Sequence, residues 1–313
     1  MTRAFIFPGQ GSQAVGMGQE LAKAFASARL VFEEVDDALG QRLSRVIFEG
    51  PEADLTLTEN AQPALMAVSL AVVRTLAIEV GRPLDSLVRF VAGHSLGEYS
   101  ALAAAGALSL ADAARLLKRR GRAMQQAVPV GEGAMAALLG AELAAARELV
   151  KDAAEGEVCD VANDNGGGQV VISGATAAVE RAIKLAPTRG IRRAVTLPVS
   201  APFHSALMKP AADVMAEALA TTALAVPSVP LIANVTAEPV SDPDAIRRQL
   251  VEQVVGMVRW RECIERLVGL GVDGFVEIGA GKVLSGLVRR IARDAKVGAI
   301  GVPAELESFV KEL

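Results

Sequence analysis

At 313 residues the chain is long enough for a large core and, by length, for about two domains. Apolar residues make up 51% of it and the mean hydropathy is +0.35, yet the longest apolar run, residues 64–80, is broken by Arg74 and Glu79 and falls short of the ~20 residues of a membrane span, so it reads as a buried core helix and no membrane is expected. A formal charge of −4 and a pI near 5.5 leave no basic footprint for nucleic acid, and two cysteines, Cys159 and Cys263, are too few for a disulfide framework or a metal cluster.

The first predicted strand, residues 4–7, runs into Phe7-Pro8-Gly9-Gln10-Gly11-Ser12-Gln13. The apolar stretch stops at Pro8 with no small-residue cleavage site after it, so no secretory signal is expected and a reduced, cytoplasmic protein fits. Glycines in this turn let backbone amides approach a ligand closely; the loop lacks the Lys and Ser/Thr of a phosphate loop. A second strand, 88–92, leads into Gly93-His94-Ser95-Leu96-Gly97 and then a helix. This is the pattern of a nucleophile elbow, a sharp strand-to-helix turn that holds a serine hydroxyl clear of the sheet. Ser109, with Asp112 three residues on, is predicted to cap the next helix.

Residues 128–199 change rhythm: strand 134–139, helix 141–153, strands 158–163 and 169–173, helix 175–186, strand 193–198. That order is the ferredoxin-like pattern. Further strands at 229–233, 274–278 and 297–302 alternate with Ala/Leu-rich helical stretches, which argues for a mostly parallel sheet flanked by helices. The expected architecture is therefore α/β, with an α/β-hydrolase-like core formed by 1–127 and 200–313 and an inserted ferredoxin-like subdomain at 128–199. A cleft between the two is the expected site.

Only two histidines are present. His94 adjoins Ser95 on the tight turn, where its side chain should diverge, which leaves His204 as the base for a catalytic Ser95. No Asp or Glu near His204 stands out as a third member, so a backbone carbonyl or an amide side chain is expected to orient the imidazole. On the helix after Ser109, residues Leu110, Ala113, Ala114, Leu117, Gly121 and Met124 form an inward stripe, and Arg115, Lys118, Arg119 and Arg122 fall on a solvated face. Arg120 falls on the apolar side. A guanidinium there needs an anion, and helical geometry does not separate a protein carboxylate from a substrate carboxylate. Glu277-Ile278-Gly279-Ala280-Gly281-Lys282 reads as a packing turn near the cleft. Arg189, Arg192 and Arg193 form a basic cluster on the insert.

Taken in order, FPGQGSQ at 7–13, GHSLGEYSA at 93–101, Arg120-Gly121, VANDNGGGQVVISG at 161–174, SAPFH at 200–204 and EIGAGKVLSGL at 277–287 resemble the malonyl-CoA:acyl carrier protein transacylases, over essentially the whole chain. The resemblance implies ping-pong transfer of malonyl from malonyl-CoA to Ser95 and then to the phosphopantetheine thiol of acyl carrier protein, supplying fatty-acid synthesis. It also implies His204 as base, the backbone amides of Gln10 and Leu96 as oxyanion hole, and Arg120 as the clamp on the malonyl carboxylate. Gln253 matches the position that helps orient the base, and Phe203 a bulky residue that favours malonyl over methylmalonyl. No cofactor or metal is implied, coenzyme A thioester and phosphopantetheine being substrates, and a monomer is expected. Gly167 and Met257 stand where relatives often have proline. The competing readings are a serine thioesterase or other hydrolase using the same elbow, a polyketide acyltransferase working in trans, and a non-catalytic carrier-docking module.

Overall fold

In the computed structural model, which describes residues 1–199 and 201–313, five strands run parallel in one sheet. These are β1 (Arg3–Phe7), β2 (Phe90–Gly93), β7 (Leu231–Ile232), β9 (Gly274–Ile278) and β10 (Lys296–Ile300), in the order β10-β9-β1-β2-β7, and the antiparallel β8 (Pro239–Val240) forms the edge beyond β7. The central strands are covered on both faces: every residue of β9, and all of β1 after Arg3, is buried, whereas β10 at the edge is partly exposed. The register pairs Phe7 with Gly93 and Ile6 with Glu277, so the loops leaving β1, β2 and β9 crowd together at one end of the sheet. Ligands of open parallel sheets bind outside that carboxyl end.

The second sheet has β3 (Gly133–Leu139), β4 (Cys159–Asp164), β5 (Gln169–Ala175) and β6 (Arg193–Thr196) in the order β4-β5-β3-β6, antiparallel throughout. The helices between them, α8 (Leu143–Ala154) and α9 (Thr176–Leu185), turn apolar faces, Leu149 among them, onto Leu138 and Ile172 to close a separate small core. Along the chain these elements succeed one another as strand, helix, strand, strand, helix, strand. Ser200, where the chain was expected to return to the larger body, lies outside the described residues.

Before β2 come α1 (Gln19–Ala24), α2 (Ala26–Leu39), α3 (Leu43–Glu49), α4 (Glu52–Thr56) and α5 (Thr58–Val80). By length and a mean hydropathy of 1.7, α5 is apolar enough to cross a membrane, but 67% of its apolar window is buried inside the fold. Its apolarity is accounted for by packing against α2 and α7 (Leu110–Gln126). Between β2 and α7 lies α6 (Gly97–Ala104). Ser109 Oγ accepts the Asp112 N–H at 3.0 Å and donates to the Asp112 carboxylate at 2.7 Å, the cap expected for α7. After the second sheet follow α10 (Lys209–Thr221), α11 (Pro243–Val255), α12 (Trp260–Gly269), α13 (Val283–Ile291) and α14 (Pro303–Lys311).

Several expectations differ from what is seen: the strand expected at 229–233 shrinks to Leu231–Ile232, and that expected at 193–198 ends at Thr196. The strand expected at 297–302 ends at Ile300, because the Gly301 N–H turns to Glu305 at 2.8 Å at the start of α14. Lys118 is not on a solvated face. Its side chain is 13% exposed and bonds Gln41, Asn60 and Glu59, which rise beside α7 from segments the helical wheel does not contain. The packing reading of 277–282 has a physical basis: both carboxylate oxygens of buried Glu277 accept N–H groups of Leu284 and Ser285, satisfying the open amides at the start of α13.

Candidate active site

The elbow forms because two glycines let three backbone segments meet. A Cβ on Gly93 would stand 1.9 Å from the carbonyl carbon of Gly97, and one on Gly97 would stand 2.3 Å from the Phe7 carbonyl oxygen. Between them Ser95 adopts φ +53°, a left-handed conformation that a non-glycine residue keeps only when its surroundings hold it there. Here they do. The Ser95 N–H donates to Asn234 Oδ1 at 2.8 Å, and its carbonyl accepts from Gln253 Nε2 at 2.9 Å.

His204 arrives on the segment that leaves the second sheet, itself at φ +57°. Its Nε2 lies 2.8 Å from Ser95 Oγ. Its Nδ1 faces two carbonyl oxygens, those of Gln253 at 2.9 Å and Gly256 at 3.2 Å. A carbonyl can only accept, so Nδ1 carries the hydrogen and Nε2 presents its lone pair to the serine hydroxyl. Burial, reinforced by the Arg120 charge, pushes the imidazole down to about 3, and it is neutral at ordinary pH. The orienting group is thus a backbone carbonyl, one of the two alternatives the sequence left open.

Arg120 is 2% exposed. Its Nη1 donates to Gln62 Oε1 at 2.8 Å, and its Nη2 donates to Gln253 Oε1 at 3.0 Å and to Ser95 Oγ at 3.1 Å. All three partners are neutral, and its Nε is buried with no partner among the described residues. Desolvation therefore holds the guanidinium below its ordinary range, although it stays a cation. A protein carboxylate in direct contact, one of the two outcomes open from the helical wheel, is not found among the described residues. Gly121 makes the position reachable: a Cβ there would meet the Glu59 backbone at 2.5 Å, so α7 can press against the first turn of α5, which carries Gln62.

The remaining expected residues fall around these groups. Leu96 is buried at the start of α6 and Gln10 is partly exposed on the loop after β1, whose Phe7 carbonyl accepts the His94 N–H at 3.0 Å. Phe203, which precedes His204, is 8% exposed and belongs to the main apolar cluster. Gln253 serves twice, its backbone carbonyl on His204 and its side chain on Arg120 and Ser95. His94 diverges from the hydroxyl as expected, bonding Asn165 Oδ1 at 2.9 Å with its ring 5.6 Å from that of Trp260. A cavity of about 500 Å³ opens onto His204 and is lined also by Asp160 and Val161 of β4 and by Val255 and Met257. Arg189 of the basic cluster is ion-paired to Asp152, and Arg193 is exposed on β6. Gly167 has φ +58°, which proline cannot adopt.

Nothing in the motif pattern singles out Asn234, Gln62 or Glu98. A weak signal existed for the first: Asn234 is a polar residue directly after the apolar run 229–233, at the end of the strand next to β2. For Glu98 it was the one charge, at the second position, of a helix otherwise built from Gly, Tyr, Ser, Ala and Leu.

A serine held on a strained turn, an imidazole aimed at it and a cation beside it define an acyl-transfer type of site on an α/β frame. The chain belongs to the acyl transferase domain family, whose model matches residues 4–302. It is similar to the malonyl CoA-acyl carrier protein transacylase of Bacillus subtilis, 47% identical over 99% of this chain and 96% of that protein. Among solved structures it is similar to the acyl-carrier-protein-S-malonyltransferase of Bartonella henselae, at 57% identity and a TM-score of 0.97, covering 100% of this chain and 99% of the other. A malonyl-transacylase solved in complex with its type II PKS acyl-carrier protein is also similar, at 40% identity and a TM-score of 0.96, covering 100% of both chains.

Proposed function

We propose that the chain is a malonyl-CoA:acyl carrier protein transacylase acting through Ser95. In the first half-reaction His204 Nε2 takes the Ser95 proton as Oγ attacks the thioester carbonyl. The tetrahedral oxyanion is held by the backbone amides of Gln10 and Leu96. The C–S bond then breaks, and the imidazolium returns its proton to the departing coenzyme A sulfur. In the second half the phosphopantetheine thiol of acyl carrier protein attacks the malonyl ester, its proton passes through His204, and Ser95 is released.

The observation that carries this reading is the Arg120 guanidinium, buried among neutral partners 3.1 Å from Ser95 Oγ. A malonyl group on Ser95 brings a free carboxylate to that cation; an acetyl group leaves it unpaired. Pairing has a second effect. The Arg120 charge is one cause of the depressed imidazole, so a carboxylate that neutralises it raises His204 toward the range of an effective base when the right acyl group is bound. Phe203, next to the base, crowds an α-methyl substituent and favours malonyl over methylmalonyl.

In this reading 1–127 and 200–313 form the catalytic body and 128–199 the opposite wall of the cleft. The enzyme works as a cytoplasmic monomer with no cofactor or metal and serves fatty-acid synthesis; a polyketide carrier is the variant reading, favoured by its likeness to the transacylase solved with such a carrier. A thioesterase is disfavoured by the clamp and by the backbone-oriented imidazole. The test is the intact mass after mixing with malonyl-CoA: one malonyl adduct on the wild type, discharged by acyl carrier protein, and none on Ser95→Ala. Rapid hydrolysis of the adduct without carrier protein would instead identify a hydrolase.

A further inference from the structure

The carboxyl of Glu98 lies 1% exposed on α6, one turn beyond the nucleophile, and the chemistry above gives it no task. Its two oxygens are both acceptors. Oε1 takes the backbone N–H of Asn234 at 2.6 Å, and Oε2 takes Nε2 of Gln253 in a short contact. Those two residues hold the strained Ser95 backbone, Asn234 at its N–H and Gln253 at its carbonyl. Asn234 also reaches across the elbow, its Nδ2 donating to the Gly93 carbonyl at 2.8 Å.

The consequence lies in the direction of one amide. A primary amide has a donor end and an acceptor end. Because Glu98 and the Ser95 carbonyl both require donors, the nitrogen of Gln253 must face them, and its Oε1 is thereby turned to Arg120 Nη2 at 3.0 Å. The same residue supplies the carbonyl that sets the His204 tautomer. We infer that Glu98 is a positioning residue for the proposed transfer, fixing the Gln253 amide so that Arg120, Ser95 and His204 keep one mutual geometry. The inference rests on the function proposed above. The Arg120 charge and the two donors oppose the burial that pushes this carboxyl up to about 8. Ionised, the carboxylate can only accept; protonated, it also carries an O–H donor, and the Ser95 carbonyl, which accepts in either case, then keeps the amide nitrogen in place.

Glu98→Gln keeps the shape but replaces one acceptor by a donor, which then opposes either the Asn234 N–H or the Gln253 NH2. Glu98→Asp keeps both acceptors and shortens their reach. Wild type and both variants are acylated separately with malonyl-CoA and acetyl-CoA, and the single-turnover rates are read by intact mass per competent site, so that any unfolded fraction drops out. The expected result is a malonyl-to-acetyl rate ratio reduced roughly tenfold or more in Glu98→Gln, since displaced catalytic groups lose rate steeply, and a smaller reduction in Glu98→Asp. A carboxyl that served only packing would lower the melting temperature and leave that ratio alone. Variants with the wild-type ratio overturn the role of Glu98. Wild type that takes up neither acyl group overturns the proposed function instead.

Discussion

Replacing Arg120 by methionine removes the cation while keeping most of the side-chain volume. The guanidinium has three neutral partners and a free Nε, so a malonyl carboxylate can form two charge-assisted hydrogen bonds with it, each worth about 1.5–3 kcal/mol. Stripping water from the carboxylate offsets part of this. A net contribution of about 3 kcal/mol corresponds to roughly 150-fold in kcat/KM, at 1.36 kcal/mol per decade. Acetyl transfer draws nothing from the clamp, so Arg120→Met is expected to lower kcat/KM for malonyl-CoA by about two orders of magnitude and to change that for acetyl-CoA by far less. The assay is competition between the two thioesters for Ser95, read as the ratio of adducts by mass. A ratio unchanged from wild type refutes the clamp, and with it the explanation of why a cation is buried there.

The pH dependence tests the imidazole. Since burial and the Arg120 charge hold His204 down to about 3, the free enzyme's base stays unprotonated as pH falls past the ordinary histidine value of about 6.5. Acylation kcat/KM is therefore expected to show no acid limb near that value and to fall only at much lower pH; an apparent pKa of roughly 6–7 on the acid side contradicts the geometry. The elbow is tested by Gly97→Ala, whose Cβ would stand 2.3 Å from the Phe7 carbonyl oxygen. It is expected to cost at least ~1–3 kcal/mol in urea unfolding and to reduce acylation, as overpacking does. Gly286→Ala, in α13 with nothing within 4 Å of the added carbon, is the control, expected to be neutral or stabilising by ~0.5–1 kcal/mol.

The strands at 274–278 and 4–7 were legible because both faces are covered, so that nearly every residue in them is apolar. The elements of 133–196 were legible because strands and helices alternate there at short, regular spacing. Before β2, α4 with 5 residues and α1 with 6 have too few turns for a periodicity to register. At the site, Ser95 and His204 could be paired because each was the one candidate of its chemistry. Arg120 could be picked out by its angle on a helix. Asn234 and Glu98 could not, because their importance lies in which neighbour each hydrogen bond finds, and that is set by contacts 136–139 residues apart in the chain. Lys118 failed for the same reason in reverse, since its partners come from α5 and the turn before α3.

The sheet order has a consequence for biosynthesis. Its middle strands, β1 and β2, emerge first, and β7, β9 and β10, which flank them, are all translated after the second sheet. A growing polypeptide can thus display the serine long before it owns the imidazole or the two amide-bearing side chains that brace the strained turn. Until the last third of the message has been read, that alcohol is an ordinary one, and the catalyst is switched on by the completion of its own chain.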